Sequence, residues 1–250
     1  MSLVIDCHAH LRTPGGGDPE RLLEAADRAG VDRLILCSLG REWMVFPDAA
    51  TLEQANADIV EVLERYPDRL MGLVYLSADD VALGLEHLNR YIANGPCVGV
   101  KLWVSQLADD PRMDPLFDRI VELDVPVLQH TWFKATGNLE KESTAWHCVN
   151  RAELHPGLKM WLAHAGGQWE ETARIIAPYP NLCVDISGGE PEAGVVDCLL
   201  RHIGPERIFF GSDIPGRSLI VQMSKVLSAE IPDGWKEMIL GENILRWVRP

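Results

Sequence analysis

The chain has 250 residues, with 23 Lys+Arg against 37 Asp+Glu and a formal net charge of −14. At 47% apolar and 24% charged residues the composition is that of a folded globular protein, which excludes a disordered chain. The acidity argues against nucleic-acid and anionic-membrane partners, which need a positive field, and no run reaches the ~20 apolar residues of a membrane span.

Short runs rich in Val, Ile and Leu recur, and strands are predicted near 3–7, 32–37, 70–76, 97–102, 126–131, 158–164, 181–186 and 207–212. Their starts lie about 29 residues apart, the length of one strand–helix–strand unit. The runs are near-continuous rather than alternating, as parallel strands covered on both faces require. Asp18 and Pro19 open a helix that Gly30 closes, with Leu22, Ala25, Ala26 and Ala29 as its apolar stripe. Thr51 and Gln54 read as a capping box for the next helix, where Ala55, Ile59, Val62, Leu63 and Tyr66 recur at helical spacing. Val81, Leu85, Leu88 and Ile92 repeat that spacing. Further helices are predicted at 112–123, 168–178, 191–203, 216–229 and 235–248. Eight such units without a linker predict one domain over 1–250, an α/β chain folded as a single (β/α)8 TIM barrel rather than an open doubly wound sheet.

Met1-Ser2-Leu3-Val4-Ile5-Asp6 has no basic region ahead of its short apolar run, so no signal peptide is expected. Cys7, Cys37, Cys97, Cys148, Cys183 and Cys198 form no CxxC pair. Cys7, Cys37, Cys97 and Cys183 sit in β-like runs, where a free thiol acts as a small hydrophobe, and a reduced cytoplasmic protein is expected.

A barrel of this kind carries its chemistry at the C-terminal ends of its strands. The first strand ends Asp6-Cys7-His8-Ala9-His10. Residues i and i+2 point the same way, so His8 and His10 both face the lumen. Two imidazoles on one face suit Zn²⁺ or a similar borderline metal. The fifth strand ends Gln129-His130, the sixth Ala163-His164 before Ala165-Gly166-Gly167, and the eighth Gly211-Ser212-Asp213. Four histidines and one aspartate thus meet one rim. His87, His147, His155 and His202 fall in helix-like or loop segments and read as solvated or locally hydrogen-bonded. Trp161 alternates away from Leu162 and His164 and is assigned to helix packing.

These motifs in this order resemble the metal-dependent amidohydrolase superfamily. The nearer resemblance is to its amidohydrolase-2 branch, which includes aminocarboxymuconate-semialdehyde decarboxylase-like enzymes. It rests on the stretch from His155 through Gly189, on Gly204-Pro205-Glu206-Arg207-Ile208-Phe209-Phe210-Gly211-Ser212-Asp213, and on the closing Ile239-Leu240-Gly241-Glu242-Asn243. The resemblance implies metal ligation by His8, His10, His130 and Asp213, with one divalent ion, zinc first and manganese next. It implies a catalytic role for His164 beside the metal. Asp213 can accept the proton of a metal-bound water as it attacks and pass it to a leaving group. Lys101, at the end of the fourth strand, joins the ligands only in a binuclear centre, where related enzymes carry a carboxylated lysine; otherwise it faces a substrate anion.

Arg12 is a candidate carboxylate anchor, since a guanidinium fork suits bidentate binding. Its setting, His10-Leu11-Arg12, is similar to dihydroorotase, but Gly211-Ser212-Asp213-Ile214-Pro215 departs from that enzyme and its activity is not assigned. Gly15-Gly16-Gly17 lacks the ending of a phosphate loop and reads as a connector. Two long mouth loops, 39–50 and 132–144, present Trp43, Phe46, Trp132 and Phe133 as covers for a planar or cyclic substrate; Trp132 is the one assigned to substrate binding. Arg12, Arg41, Lys101 and Lys134 suggest a locally positive mouth on an acidic body.

The resulting expectation is a metal-dependent hydrolase of a C–O or C–N bond, of lactone or cyclic amide type, in a small anionic metabolite. Non-oxidative decarboxylation is the alternative, and a non-catalytic binding barrel the second. Partners are small molecules, with neither nucleic acid nor membrane; a homo-oligomer stays open.

Overall fold

The computed structural model describes residues 3–12, 18–189 and 193–248. The glycine connector at 13–17 lies outside them. Eight parallel strands form one sheet in sequence order: β1 Ile5–Leu11, β2 Arg33–Ser38, β3 Leu70–Tyr75, β4 Gly99–Leu102, β5 Val127–Gln129, β6 Met160–Leu162, β7 Leu182–Asp185 and β8 Ile208–Phe209. The sheet curls until its ends meet. Cys7 N–H donates to Phe210 O at 2.9 Å, His10 N–H to Ile214 O at 2.8 Å, and Ala9 bridges Ile214. The result is the (β/α)8 barrel that the strand spacing predicts.

Helices cover the outside: α1 Pro19–Ala29, α2 Ala49–Arg65, α3 Val81–His87, α4 Asp114–Glu122, α5 Ala145–Leu154, α6 Trp169–Ile176, α7 Val195–Ile203 and α8 Leu219–Leu227. Gly30 ends α1 in the left-handed region at φ 71°, a conformation that costs glycine little. The start of α2 lies earlier than Thr51 suggests. Asp48 is its cap and accepts from Thr51 N–H at 2.8 Å. Helix α5 has no counterpart among the predicted helices, because its inner face carries Arg151. That guanidinium is fully buried and satisfied by Ala108 O (2.9 Å), Asp110 O (2.8 Å) and Asp114 (2.5 Å).

Two apolar layers follow. Leu34, Val74, Val100, Leu162 and Val184 face the helices. Ile5, Cys7, Ile35, Cys37, Leu73, Leu128, Trp161, Cys183 and Phe209 fill the lumen. Trp161 therefore packs inside the barrel, 6.1 Å from the Phe209 ring, and not against helices. At the lower end a tail of short helical pieces from Asp233 to Leu245 closes the barrel. Buried Asn243 donates to Pro205 O (2.7 Å) and Ile208 O (3.0 Å), and Trp247 meets Phe209 at 5.1 Å. All six thiols are free and buried.

Asp6 joins the first and last strands. Fully buried, it accepts from His8 N–H (3.0 Å), Ser212 N–H (2.9 Å) and the Ser212 hydroxyl (2.5 Å). Burial pushes its carboxyl up to about 7, and those hydrogen bonds limit the rise. Among the described residues no helix is long and apolar enough to cross a membrane.

Candidate metal centre

The upper rim brings His8, His164 and Asp213 together, with His10 against Asp213 and His130 further out beside His164. Strand β1 runs on to Leu11, so both its histidines are inside a strand and buried. Its register against β2 slips between Asp6 and Ala9. His10 thereby lies opposite Cys37, a lumen residue. His164 reaches the rim by a different device. Alternation from Leu162, which faces the helices, would send it outward. Left-handed backbone at His164 (φ 62°) and Ala165 (φ 44°) turns it back. Asp213 is left-handed too, at φ 64°. Such conformations cost about 1–3 kcal/mol each and persist where surrounding bonds over-determine them. Here His164 N–H is held by Asp185 at 2.9 Å, and Asp213 N–H by His8 O at 2.7 Å.

One nitrogen of each imidazole is fixed by a partner. His8 Nδ1 meets Asp185 and Ser187, both at 3.0 Å. His164 Nδ1 meets the Ser187 hydroxyl at 2.9 Å, and that hydroxyl donates to Asp185 at 2.5 Å. His10 Nδ1 meets Cys37 Sγ at 3.2 Å. The other nitrogens turn to the mouth: His10 Nε2 lies 3.1 Å and His8 Nε2 3.9 Å from Asp213 Oδ1. Donor atoms of His8, His164 and Asp213 all come within 4.8 Å of one another. Two imidazoles and a carboxylate at that spacing, with their far nitrogens pre-oriented, fit a divalent cation. His130 is set apart, its ring 5.1 Å from that of His164 and its Nε2 3.0 Å from Glu142.

Burial dominates the electrostatics. It pushes the His8 ring down to about 4, with Lys101 adding to the effect. It also lowers His130 and, further, His164. A lowered pKa favours the neutral imidazole, the form that offers a lone pair to a cation. His10 moves up to about 9, because the Cys37 sulfur and Asp213 outweigh its burial. Burial opposes ionisation of Asp213 and Asp185, yet bonds from His10 and His8 hold both well below the ordinary carboxylate range.

Lys101 is buried, its Nζ 3.3 Å from His8 Nε2, and burial lowers its pKa. Trp132 sets its ring 5.0 Å from that of His164. Arg12 is exposed over the Trp43 indole at 5.0 Å, and Trp43 lies 5.0 Å from the His10 ring. The expected positive mouth is narrower than the sequence suggests, because Arg41 pairs with Asp58 at 3.8 Å and Lys134 with Glu142 at 2.7 Å. A small cavity of about 40 Å³ opens beside His164, with Trp132, Trp169, Ser187, Gly188 and Lys225 in its wall.

Asp185, Ser187, Cys37 and Glu142 are the site residues that the motifs did not reveal. The first had a signal: Val184-Asp185-Ile186-Ser187 places polar groups at i and i+2 on a strand end, as His8 and His10 do. Gly188 also matters. It sits at φ +66°, and an added Cβ would fall 2.4 Å from His164 Nδ1. Gly188→Ala is expected to push the His164 ring off Ser187 and lower both turnover and melting temperature, by about 1–3 kcal/mol of strain for the latter. Unchanged values of both would contradict this reading.

A family model described as Amidohydrolase matches residues 5–249. Solved structures share the fold at low identity. The 2,6-dihydroxybenzoate decarboxylase from Rhizobium has a TM-score of 0.84 at 18% identity, over 99% of this chain and 98% of that one. The 5-carboxyvanillate decarboxylase from Sphingomonas paucimobilis has a TM-score of 0.79 at 18% identity, over 98% of both chains. The dihydroxybenzoic acid decarboxylase from Polaromonas sp. JS666, solved with manganese and 2-nitroresorcinol, has a TM-score of 0.77 at 17% identity, over 99% of this chain and 97% of that one.

Proposed function

Since the chain belongs to the amidohydrolase family, a family of metal-dependent enzymes, we propose that it removes CO₂ without redox change from a small, planar, unsaturated or aromatic carboxylate. The observation that carries this reading is the pair of indoles beside the imidazole cluster, Trp132 at 5.0 Å from His164 and Trp43 at 5.0 Å from His10. Flat walls of this kind suit a ring. The decarboxylases of the same fold support it. This reading replaces hydrolysis of a lactone or cyclic amide as the first choice.

His8 and Asp213 would hold the ion, with His10 and His130 completing the set that the family resemblance implies; the donor atoms that lie within 4.8 Å of one another are those of His8, His164 and Asp213. When bound, the ion supplies positive charge that anchors and polarises the oxygen atoms of the substrate. Mixed nitrogen and oxygen donors accept manganese as well as zinc. One ion is proposed; Lys101 would join only as a carbamate between two, and a metal-to-protein ratio near two in bicarbonate-supplied protein would show that.

The chain's own groups do the rest. Arg12, Lys101 and Trp132 would bind the substrate, Arg12 as the cation over the mouth. Decarboxylation leaves the electron pair of the broken C–C bond on the ring carbon, which must receive a proton. Asp213 would hold it, since its side chain is 22% exposed, whereas Asp6 and Asp185 are sealed. His164, fixed through Nδ1, offers Nε2 to orient or polarise the substrate.

Product analysis separates the readings. CO₂ release with no ¹⁸O taken up from labelled water is expected on a panel of hydroxylated benzoates and unsaturated dicarboxylates. Solvent ¹⁸O in an acyclic product would instead establish hydrolysis of a lactone or cyclic amide.

A further inference from the structure

Glu142 is a buried carboxylate on the mouth segment between β5 and α5. It accepts from His130 Nε2 at 3.0 Å, from Lys134 Nζ at 2.8 and 2.7 Å, and from Leu139 N–H at 3.1 Å. Burial opposes its ionisation, but these donors outweigh burial and bring its pKa down to about 2. The residue after it pins the segment to the barrel. Ser143 Oγ receives Ala108 N–H at 2.9 Å, and Ser143 O receives Trp132 N–H at 2.9 Å.

The arrangement inverts the pattern of the other three rim histidines. His8, His10 and His164 are anchored through Nδ1. His130 is anchored through Nε2, and among the described residues nothing hydrogen-bonds its Nδ1. A neutral imidazole whose Nε2–H points at a carboxylate keeps its lone pair on Nδ1.

We propose that Glu142 is the positioning residue for His130, fixing the ring so that Nδ1 is the donor it presents at the mouth, with Lys134 holding the carboxylate in place. The proposal rests on the reading of His130 as the fourth metal donor. Carboxylates behind metal-binding histidines fix ring orientation and raise donor strength, and their loss costs 10–100-fold in metal affinity.

The test uses the full chain, Mn²⁺ alone and no substrate. Mn²⁺ affinity is measured by calorimetry and the symmetry of the bound ion by electron paramagnetic resonance. Glu142→Ala is expected to weaken Mn²⁺ about 10–100-fold and to alter the spectrum. Glu142→Gln, whose amide oxygen still accepts from Nε2–H, should recover most of the affinity. In a His130→Ala background the Glu142→Ala change should cost nothing further, because the ring it positions is gone. If His130→Ala weakens Mn²⁺ while Glu142→Ala binds and resonates as the parent does, Glu142 has no positioning role. If His130→Ala itself leaves Mn²⁺ binding intact, the donor reading of His130 fails and takes the proposal with it. Should Glu142→Ala not fold, the cycle is run with Glu142→Gln and Glu142→Asp; fully additive losses with His130→Ala would overturn the proposal.

Discussion

Asp213→Asn is expected to lower turnover about 10²–10⁴-fold, the usual reach of a positioned acid–base group, while leaving the fold intact. Asparagine has the same shape and is among the few L-residues that tolerate the left-handed backbone found here at φ 64°. The bond from Asp213 N–H to His8 O at 2.7 Å and that from Arg217 N–H to Asp213 O at 3.1 Å do not involve the side chain. What disappears is the negative charge facing His10 and His8, and with it the group that can hold a proton at the substrate. Steady-state kinetics with a thermal melt checks both halves. Turnover within tenfold of the parent would remove Asp213 from the chemistry. A collapse in melting temperature would make its role structural.

Asp185→Asn is expected to damage both stability and metal binding. The carboxylate is fully buried and every contact it makes is with a donor: His8 Nδ1, His164 N–H, Ser187 N–H and the Ser187 hydroxyl. An amide replaces one acceptor with an NH₂ group, so at least one of those donors faces another donor. Losing such a buried partner costs about 2–4 kcal/mol. His8 also loses the anchor that aims Nε2 at the mouth, and Mn²⁺ affinity should fall about 10–100-fold. Melting temperature and calorimetric Mn²⁺ titration together give the answer. An unchanged melt with unchanged Mn²⁺ affinity would mean that Asp185 orients nothing.

The two variants are informative as a pair. Asp213 is partly open and held by its backbone, so its loss is felt in chemistry. Asp185 is sealed beneath two histidines, so its loss is felt in folding first.

The barrel was readable because buried parallel strands leave continuous apolar runs at a regular interval, a signal that survives errors at strand ends. Strand β1 extends beyond the predicted 3–7 because His8 and His10 are polar residues on a buried strand, and hydropathy stops at them. Helix α5 was not predicted because a buried Arg151 breaks the apolar stripe it satisfies by other means. Trp161 and His164 expose the limit of alternation. The rule holds within a strand and says nothing of a left-handed turn that reverses the chain just after it. Strand-end positions put the histidines and Asp213 on one rim, but how they meet there depends on the left-handed turn at His164 and the register slip in β1. The motifs do not reveal their anchors. Cys37 reads as a core residue, and nothing in the sequence marks Glu142 until the fold brings it to an imidazole.

The clasp between Asp6 and Ser212 joins positions 206 residues apart in sequence, and His8 and Asp213 meet across the same seam. A nascent chain therefore emerges from the ribosome through most of its length without a usable cation cradle. Closing so long a loop is entropically costly and slow, and an early-bound ion would lack Asp213. Metal uptake becomes a report on ring closure: a preparation that has captured its ion on both sides of the seam has completed its last strand.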